Sequence, residues 1–510
     1  MEKIANKITF REEIRPKLKK EGKTIALCHG VFDLVHPGHI IHLQQAKQMA
    51  DVLVVSITAA AFVRKGPGRP YFNDEMRLKF LEALECVDYV MLSEGYTVDD
   101  IVEHVEPDLY VKGEEYAKES EDITGKITAE RELVEQHGGK VAYTTGQVFS
   151  STKLINTALA ALPDDVVRYM EKFITRYSMT DIKKYTQKAE RLKVLVVGDV
   201  IIDKYTYCEV QGLMSKDTGY SSRMNYSEEY LGGAAAVARH IGSFTENVTL
   251  MSIVGDEEEM RLKLFDGLAD KMRLKFTYST EYPTIVKHRY LTRNAKREEY
   301  RKIFSVNNIP NPTVYEHEAR EEFYRGLAEK IDDFDVVFLC DFGHGLIEDR
   351  VKNLIQDKAK YLVLNCQTNS TNYGLNIITK YTRADVFTLD QKELKLAYPA
   401  DMADEHAALE KLGRHLSANG WLTRGAEGAY GIDGQDIREC PAFTLTVKDT
   451  IGAGDAFYSI AGLYAAAGAP TELGTFMGNI AGALGANIVG NKEAVEKVNV
   501  LKYAGTLLNI

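Results

Sequence analysis

Short apolar runs alternate with helix-like segments along most of this chain, and this alternation limits the possible folds more than any other feature. An apolar run at residues 25–27 is followed by a turn, a helix-like stretch at 36–50 and a second run at 52–57. Further runs follow at 89–92, 109–111 and 140–143. A strand, a helix and another strand in this order form a unit of a parallel sheet. The sequence therefore predicts an α/β domain over residues 1–157.

The same alternation returns after a charged, helix-like stretch at residues 158–190, which we interpret as a helical linker. Pro163 and Asp164 are well placed to begin a helix there. Sheet-like runs then occur at 193–197, 248–254, 336–340, 362–364 and 386–389. Because 510 residues exceed what one hydrophobic core usually serves, a second and larger α/β domain is expected over residues 191–510.

Charge and cysteine content exclude several classes of protein. The 63 Lys and Arg residues against 74 Asp and Glu give a net charge of −11, which offers no bulk attraction for nucleic acid. The sequence shows no secretory signal and no apolar stretch of the roughly 20 residues that a membrane span requires. The six cysteines are far apart, without metal-binding or disulfide-dense spacing. We therefore expect a cytoplasmic protein without nucleic-acid or membrane partners.

The first candidate site is the segment His-Gly-Val-Phe-Asp-Leu-Val-His-Pro-Gly-His at residues 29–39, directly after the first predicted strand. Glycines in a strand-to-helix turn let backbone N–H groups approach an anion, and the helix N-terminus adds partial positive charge. His36 and His39 are three residues apart, so both rings can project from one side of a helical turn. Either histidine alone is more typical of a surface residue, but the pair predicts two donors to a reacting phosphate.

This segment resembles the His-x-Gly-His motif of the nucleotidyltransferase superfamily. Further matching segments follow at 65–70, at Arg77, at 107–113 and at 150–153. With them, residues 1–157 resemble the sugar-phosphate adenylyltransferase domain of bacterial ADP-heptose synthases. The resemblance implies a Rossmann-like, cytidylyltransferase-like domain that uses ATP, with CTP as an alternative nucleotide.

A sugar 1-phosphate is already anionic, so it can attack the α-phosphorus of a nucleoside triphosphate without a general base. The site must therefore supply donors and cations. The resemblance implies catalytic roles for His36 and His39. It implies nucleotide-binding roles for Gly30, Phe32, Lys47, Arg77, Lys112, Ser151 and Thr152. For Ser151 and Thr152 an ordinary helix cap is an equally good interpretation.

The second candidate site is Asp-Thr-Ile-Gly-Ala-Gly-Asp at residues 449–455, followed by a helix-like stretch of small residues. Gly452, Ala453 and Gly454 can present backbone N–H groups at a helix N-terminus as an anion hole. A kinase that phosphorylates an alcohol needs help in removing a proton, and Asp455 is the candidate base. The alternative is a tight turn with an acidic residue in the first helical turn.

Residues 449–455 resemble the Asp-Thr-x-Gly-Ala-Gly-Asp motif of ribokinase-like sugar kinases, and segments at 198–203, 232–235 and 423–428 extend the resemblance. It implies that Asp203, Gly232 and Gly233 bind the sugar and that Thr423 and Gly425 line the ATP site. It also implies a small β flap at residues 205–231 through which subunits pair, so we expect a homo-oligomer, most simply a dimer.

Several residues depart from the kinase pattern. Asp390 replaces an Asn three residues before Glu393, for which the resemblance implies an indirect role at a Mg²⁺ ion. Ala236 replaces an Asn that contacts the sugar, and His344 replaces a Lys. An amide-rich run around Asn369 suggests either substrate recognition or a polar loop, with a slight preference for recognition. For the basic segment at 287–302 we favour a solvated surface over a phosphate site.

Together the two resemblances imply a bifunctional heptose 7-phosphate kinase and heptose 1-phosphate adenylyltransferase with its domains in swapped order. The substrates would be a sugar phosphate and ATP at both sites, with Mg²⁺, and the product an ADP-heptose-type nucleotide sugar. One alternative keeps both activities but uses CTP or another sugar or polyol phosphate. Another is a nucleotide-sensing scaffold with an inactive pocket. The sequence leaves open the sugar, the nucleotide, the subunit number and the pathway partner.

Overall fold

A computed structural model describes residues 3–63, 70–95, 97–113, 126–145, 163–216, 218–294, 299–309, 317–369, 372–401, 404–444 and 447–509. The chain forms two compact units, Met1–Glu171 with Leu501–Ile510 and Lys172–Val500. This division places residues 172–190 in the second unit, whereas the sequence assigns them to a linker. Thr186 and Tyr464 of the second unit share a hydrogen bond between their side-chain oxygens at 2.5 Å.

The first unit contains a five-stranded parallel sheet with the order β3-β2-β1-β4-β5. Its strands are β1 Ile25–Gly30, β2 Val52–Thr58, β3 Tyr89–Ser93, β4 Leu109–Gly113 and β5 Lys140–Thr144. Its helices are α1 Lys7–Thr9, α2 Arg15–Lys20, α3 Pro37–Met49, α4 Asp74–Glu82, α5 Asp99–Val105 and α6 Lys126–Gln136, with a π-helical turn at Phe10–Ile14. The strands confirm the five predicted apolar runs.

This sheet is buried on both faces because consecutive residues of a strand point in opposite directions. Ile25 and Leu27 belong to one buried cluster, while Ala26 and Cys28 belong to a second one together with Leu43 of α3. The strand order reverses beside β1, which has β2 on one side and β4 on the other. In open parallel sheets ligands bind at the carboxyl ends of the strands at such a point. The histidine-rich turn after β1 opens there.

The second unit contains a nine-stranded sheet with the order β10-β9-β6-β13-β14-β15-β16-β17-β18. Its strands are β6 Val194–Gly198, β9 Val248–Gly255, β10 Arg273–Ser279, β13 Val336–Asp341, β14 Leu362–Cys366, β15 Val386–Asp390, β16 Asn419–Thr423, β17 Ala429–Asp433 and β18 Asp436–Cys440. The strands from β10 to β16 are parallel, whereas β17 and β18 extend the sheet in antiparallel fashion. The parallel part confirms the predicted α/β class.

The helices of the second unit are α8 Met179–Ala189, α9 Ala234–Gly242, α10 Glu258–Leu268, α11 His317–Lys330, α12 Asp349–Lys358, α13 Gln391–Ala397, α14 Glu405–Leu416, α15 Ala453–Ala466 and α16 Thr471–Gly485. The divisions of the chain after residues 171 and 500 fall within two further helices, α7 Asp164–Phe173 and α17 Lys497–Leu508. Helix α15 lies directly on the sheet, because a Cβ atom at Gly462 would come within 2.5 Å of Val363. The Tyr458 hydroxyl donates to Val363 O at 2.8 Å. The core thus fixes the N-terminus of α15.

A separate four-stranded sheet with the order β12-β11-β7-β8, which we call the flap, includes the predicted residues 205–231 in β7 and β8 and adds two strands that the sequence analysis did not assign to it. Its strands are β7 Val200–Leu213, β8 Tyr220–Gly233, β11 Ile285–Asn294 and β12 Glu299–Asn308. β7 pairs antiparallel with β8 and parallel with β11. In the described part of the chain, no helix combines the length and apolar character that would let it cross a membrane.

Candidate functional site

The N-terminal crevice contains the two predicted histidines side by side. His36 is the N-cap of α3, and its Nδ1 accepts a hydrogen bond from Gly38 N at 3.1 Å. The rings of His36 and His39 stack with their centroids 4.0 Å apart. Burial lowers the pKa of His36, so its ring is neutral near pH 7. A neutral imidazole that accepts at Nδ1 carries its proton on Nε2, which makes His36 Nε2 a donor.

Gly30 and Phe32 shape the turn before these histidines. Phe32 has a positive φ of 45°, and its ring centroid lies 5.2 Å from that of His39. A Cβ atom at Gly30 would lie 3.2 Å from the Phe32 ring, so glycine leaves room for that ring. Asp33, which the sequence analysis did not single out, is buried and accepts a hydrogen bond from Phe72 N at 3.0 Å. These contacts hold the turn in shape.

Arg77 lies in the core of the unit rather than in the crevice. Its side chain is fully buried, and Nη1 donates to Val31 O at 2.7 Å and to Thr58 O at 2.9 Å. These carbonyls belong to the turn after β1 and to the end of β2. The guanidinium of Arg77 therefore holds the two strand ends together. This structural role differs from the predicted contact with the nucleotide.

Lys47 lies at the opposite edge of the sheet from the histidines. It is in the last turn of α3, and its Nζ contacts Asp88 Oδ2 at 2.7 Å and Asp51 O. Asp51 and Asp88 precede β2 and β3, so these contacts mark the amino ends of the strands. The structure thus corrects the prediction that Lys47 binds the nucleotide, since α3 carries it away from the crevice.

Lys112 lies near the carboxyl end of β4. This is the edge of a parallel sheet at which ligands bind. Lys112 Nζ forms an ion pair with Glu130 at 2.8 Å and lies 4.7 Å from the Tyr110 ring centroid. Its contact with a nucleotide remains a prediction. The predicted phosphate contacts of Ser151 and Thr152 fall outside the described residues.

Two further histidines border this crevice. His29 Nδ1 lies 2.6 Å from Ser56 Oγ, and His42 Nδ1 lies 2.7 Å from Thr144 Oγ1. Burial, and then the charge of Lys112, lower the pKa of His42 to about 4. His42 follows His39 by three more residues, and this extension of the His36–His39 spacing along one helix face is a signal that the sequence analysis did not use.

The second unit has a cleft of about 630 Å³. It brings together most of the residues predicted for the kinase site, namely Asp203, Gly233, Glu393, Thr423, Gly425, Gly452, Ala453, Gly454 and Asp455. Gly452 has a φ of 84°, and a Cβ atom there would lie 1.7 Å from Asn491 Oδ1. Gly454 faces open space in the first turn of α15, where backbone N–H groups have no acceptor within the helix. This end of the cleft is suited to an anion.

Asp455 combines burial with a hydrogen bond. Its pKa is raised to about 6, chiefly by burial and also by the charge of Asp203, while a hydrogen bond from Gln367 Nε2 to Oδ1 at 3.1 Å opposes the rise. A carboxylate with a pKa in this range is ionised near neutral pH and still basic enough to accept a proton. Its position and pKa suit the predicted base.

The side chain of Asp203 lies so close to the end of β8 that it requires a glycine there. A Cβ atom at Gly232 would lie 2.2 Å from Asp203 Oδ2, so glycine is required for the carboxylate to fit. Gly233 has a φ of 59° and lines the cleft. Asp203 forms an ion pair with Arg289 of β11. Gly232 thus makes room for Asp203, while the contact of Gly233 with a sugar remains a prediction.

Part of the basic segment at residues 287–302 lines the cleft. This differs from the sequence analysis, which favoured a solvated surface for the whole segment. Lys287 and Arg289 are alternate residues of β11, so they share a face of the flap with Asp203, the register partner of Lys287. Both line the cleft. Burial, and also Arg289, lower the pKa of Lys287. Among the described residues, no carboxylate forms an ion pair with Lys287.

Glu393 and Asp390 form a capping box at the start of α13. Both Glu393 oxygens accept backbone hydrogen bonds, from Asp390 N at 2.9 Å and Thr368 N at 3.0 Å. Burial, followed by the charge of Asp390, raises the pKa of Glu393 to about 8. Mg²⁺ prefers oxygen ligands and usually keeps several waters, so this pair fits an indirect role through water. Within the described ranges, no three or more His, Cys, Asp or Glu side chains are grouped to hold a metal ion directly.

Asn369 supports a loop and is not among the residues that line the cleft. Its Nδ2 donates to Phe342 O at 2.8 Å, and Asn372 Nδ2 donates to the same oxygen at 2.9 Å. The structure thus favours the polar-loop interpretation over the predicted substrate contact. His344 is buried nearby, and burial together with Lys287 lowers its pKa to about 3, so the ring stays neutral.

Thr423 and Gly425 lie on the wall of the cleft where β16 ends. Thr423 Oγ1 donates to Leu389 O at 3.3 Å, and Gly425 has a φ of 59° with open space beside it. Both residues line the cleft. Their contact with ATP remains a prediction.

Comparison with known proteins agrees with the two sites. Residues 27–183 match the family described as cytidylyltransferase-like, and residues 347–495 match the pfkB family of carbohydrate kinases. The predicted order, with the transferase-like part first, is confirmed. Each match covers less than half of the chain.

Similar proteins include the Bifunctional protein HldE of Syntrophotalea carbinolica, 38% identical over 141 residues, and that of Geobacter metallireducens, 37% identical over 152 residues. The aligned part spans 27% of both chains in the first case and 29% of both in the second. Among solved structures, phosphofructokinase-2 of Escherichia coli matches with 16% identity and a TM-score of 0.47, covering 61% of this chain and 98% of that one. Ribokinase of Thermotoga maritima matches with 15% identity and a TM-score of 0.46, covering 61% and 99%.

The supporting role of Arg77 can be tested by Arg77→Met. This variant should lower the free energy of unfolding by about 1–3 kcal/mol, because Val31 O and Thr58 O lose a buried donor. Lys79→Met is the control, since Lys79 lies on the same helix with an exposed side chain and should change stability by less than about 0.5 kcal/mol. Urea denaturation followed by circular dichroism measures both. Equal unfolding free energies for the two variants would contradict the assignment.

Proposed function

We propose that this chain is a bifunctional transferase that makes a nucleotide-activated sugar through a sugar 1-phosphate. The observation that carries the proposal is the presence of two helix N-termini at the carboxyl edges of two separate parallel sheets. One is flanked by a stacked histidine pair, in which burial lowers the pKa of His36, and the other by a carboxylate with a raised pKa. The family matches of the two segments support a transferase and a kinase, in that order.

At the kinase site, the hydroxyl on carbon 1 of the sugar attacks the γ-phosphorus of ATP. The hydroxyl proton passes to Asp455, the bond between the γ-phosphorus and the β–γ bridging oxygen breaks, and ADP leaves. Backbone N–H groups in the first turn of α15 bind the phosphate charge, while Thr423 and Gly425 line the nucleotide side. A bound Mg²⁺ would neutralise phosphate charge, with Glu393 and Asp390 contacting it through water.

At the transferase site, an oxygen of the sugar 1-phosphate attacks the α-phosphorus of the nucleoside triphosphate and pyrophosphate leaves. No proton has to be removed, which agrees with a site that offers histidine donors. In this proposal, His36 Nε2 and the His39 ring donate to the phosphate oxygens as charge develops, which the capping contact of His36 and the stacking of the two rings support. Lys112 is the cation on the β4 side of the crevice.

ATP is the nucleotide that we propose at both sites, with an ADP-heptose-type product, because the curated relatives are HldE proteins. CTP, or another sugar or polyol phosphate, is the alternative. Mass spectrometry of products formed from ATP or CTP with a panel of sugar phosphates distinguishes these. The scaffold alternative has weaker support, since His36, His39 and Asp455 all hold geometry suited to turnover.

The two activities should be separable by mutation. His39→Ala should reduce pyrophosphate release from ATP and heptose 1-phosphate by about 100-fold or more, because a donor to the transition state is lost. It should leave ATP-dependent phosphorylation of heptose 7-phosphate unchanged. Asp455→Asn should have the converse effect, so each variant is the control for the other. Loss of both activities in either folded variant would contradict the two-site assignment.

We propose that the sugar of the kinase site already carries an anionic group such as the phosphate of heptose 7-phosphate. Three cations support this. Lys287 and Arg289 line the cleft, and the more exposed Lys302 of β12 has a pKa lowered by desolvation and then by the charge of Arg289. Among the residues that the structure describes, Arg289 forms an ion pair with Asp203 and no carboxylate pairs with Lys287, so we assign Lys287 to the ligand.

Lys287→Met should therefore raise the KM for heptose 7-phosphate by about 10-fold or more, since a charge-assisted hydrogen bond is lost. The KM for ATP should change little. Lys392→Met, a lysine that lines the nucleotide side of the same cleft, is the matched control. A rise confined to the KM for ATP would instead assign Lys287 to the nucleotide phosphates.

We propose that the protein is a homodimer paired through the flap. The face opposite Asp203 carries Phe304 and Val306, which are 51% and 54% exposed, and Met224, which is 61% exposed. Phe304 and Val306 are alternate residues of β12, and their register partners on β11 are Tyr290 and His288. Such an apolar sheet face is typical of a surface that a partner covers.

Phe304→Glu should convert the dimer into a monomer in sedimentation velocity, because a charge would be buried at the interface. Phe265→Glu is the control, since Phe265 is an equally exposed aromatic residue on α10, outside the flap. A wild-type protein that sediments as a monomer would contradict the proposal.

We also propose a cytoplasmic location. All six cysteines are free, which agrees with a reducing compartment. ATP and sugar phosphates as substrates support the same location.

A further inference from the structure

Gln367 occupies a fixed position at the carboxyl end of β14. Its backbone N–H donates to Asp341 O at 2.8 Å, and its carbonyl accepts a hydrogen bond from Asn376 Nδ2 at 3.0 Å. Asn376 is buried and also donates to Asp341 O. Hydrogen bonds to both the N–H and the carbonyl group of Gln367 therefore fix its backbone. The position of the Gln367 Cβ atom is fixed with it.

The side chain of Gln367 reaches across the cleft to α15. Its Nε2 donates to Asp455 Oδ1 at 3.1 Å, and both residues line the cleft. No described residue donates to Asp455 Oδ2. The carboxylate is thus held through one oxygen, while the other oxygen is left for a ligand. Because an amide does not titrate, Gln367 can hold Oδ1 whether or not Asp455 carries a proton.

We propose that Gln367 is a positioning residue that donates to Asp455 Oδ1 and so directs Oδ2 to the hydroxyl of the sugar. The inference rests on the proposed kinase activity. When the hydroxyl attacks the γ-phosphorus, its proton moves to Oδ2, and Oδ1 becomes the carbonyl oxygen of the neutral acid. The hydrogen bond from Gln367 persists through this step, so the carboxyl group does not rotate as it is protonated.

The hydrogen bond from Gln367 is one of several contributions to the pKa of Asp455, and this pKa can be measured. Asp203 of β7 raises the pKa of Asp455 and Lys287 of β11 lowers it, while burial is the largest cause of the rise to about 6. Glu393 of α13, Cys340 of β13 and Tyr458 of α15 also face its charge, since Asp455 raises the pKa of each. The hydrogen bond from Gln367 favours the ionised form against burial. Without this bond, the pKa of Asp455 should rise.

The test is the pH dependence of the kinase rate. With MgATP and heptose 7-phosphate, kcat of the wild type should fall as the pH decreases through about 6, because the base becomes protonated. Gln367→Met removes the donor but keeps the length of the side chain. It should move this acidic limb up by about 1 pH unit and lower the plateau of kcat about 10-fold, since a hydrogen bond to a charged group is lost. The KM for ATP should stay within about twofold, because the nucleotide contacts remain.

Gln391→Met is the matched control. Gln391 lines the same cleft and donates to a carboxylate, Glu405 Oε1 at 2.7 Å, that is not the base. This variant should leave the midpoint of the acidic limb unchanged. Gln367→Lys provides the opposite charge test, because a cation beside Asp455 should move the limb to lower pH.

Thermal unfolding of each variant checks that the fold is retained. If Gln367→Met does not fold, Gln367→Glu replaces it, and the added negative charge should move the limb up by a larger amount. An acidic limb and a kcat plateau equal to those of the wild type in a folded Gln367 variant would overturn the inference. A wild type without kinase turnover, or an Asp455→Asn variant with normal turnover, would overturn the proposed function instead.

Discussion

A helix N-terminus held against the carboxyl edge of a parallel sheet is the constraint on which both sites depend. In the second unit this arrangement is set by the core, since α15 lies on the sheet at Gly462 and the Tyr458 hydroxyl bonds to Val363 O. In the first unit, His36 caps α3 directly after the turn that follows β1. In each case burial orients a polarised backbone end toward the place where a phosphate would lie. The position of the reactive groups is therefore a property of the packed core and not of a flexible loop.

The two proposed reactions differ in whether a proton must be removed from the nucleophile, and the residues of the two sites differ accordingly. The histidine pair lies at a crevice whose proposed nucleophile is already anionic, so neutral donors suffice there. Asp455 lies in a cleft whose proposed nucleophile is an alcohol, and burial gives it a pKa of about 6. In the proposed function, each of the two steps therefore has its own sheet and its own treatment of the nucleophile.

The sequence was sufficient to predict the parallel sheets, the histidine pair and the 452–455 turn, because each lies on one strand, turn and helix with a regular spacing. It could not place Arg77, Lys47 or Asn369, since their roles depend on contacts with distant segments. The guanidinium of Arg77 joins two strand ends, and Asn369 holds a loop through Phe342 O. Lys287 and Arg289 carried a period-two signal for one face of a strand, yet only the pairing with β7 shows that this face meets Asp203. Long-range pairing is the information that the sequence patterns lacked.

The positive charge of Lys287 affects the choice of buffer for experiments on this protein. In the described part of the chain no carboxylate forms an ion pair with this half-buried lysine, so its positive charge is available to an anion that enters the cleft. Inorganic sulfate or phosphate in a buffer would be drawn to that charge, would stabilise the folded form by mass action and would compete with the sugar substrate. Buffer composition thus becomes a variable of the enzymology, and a neutral zwitterionic buffer with chloride as the counter-ion is the appropriate medium for studying this cleft.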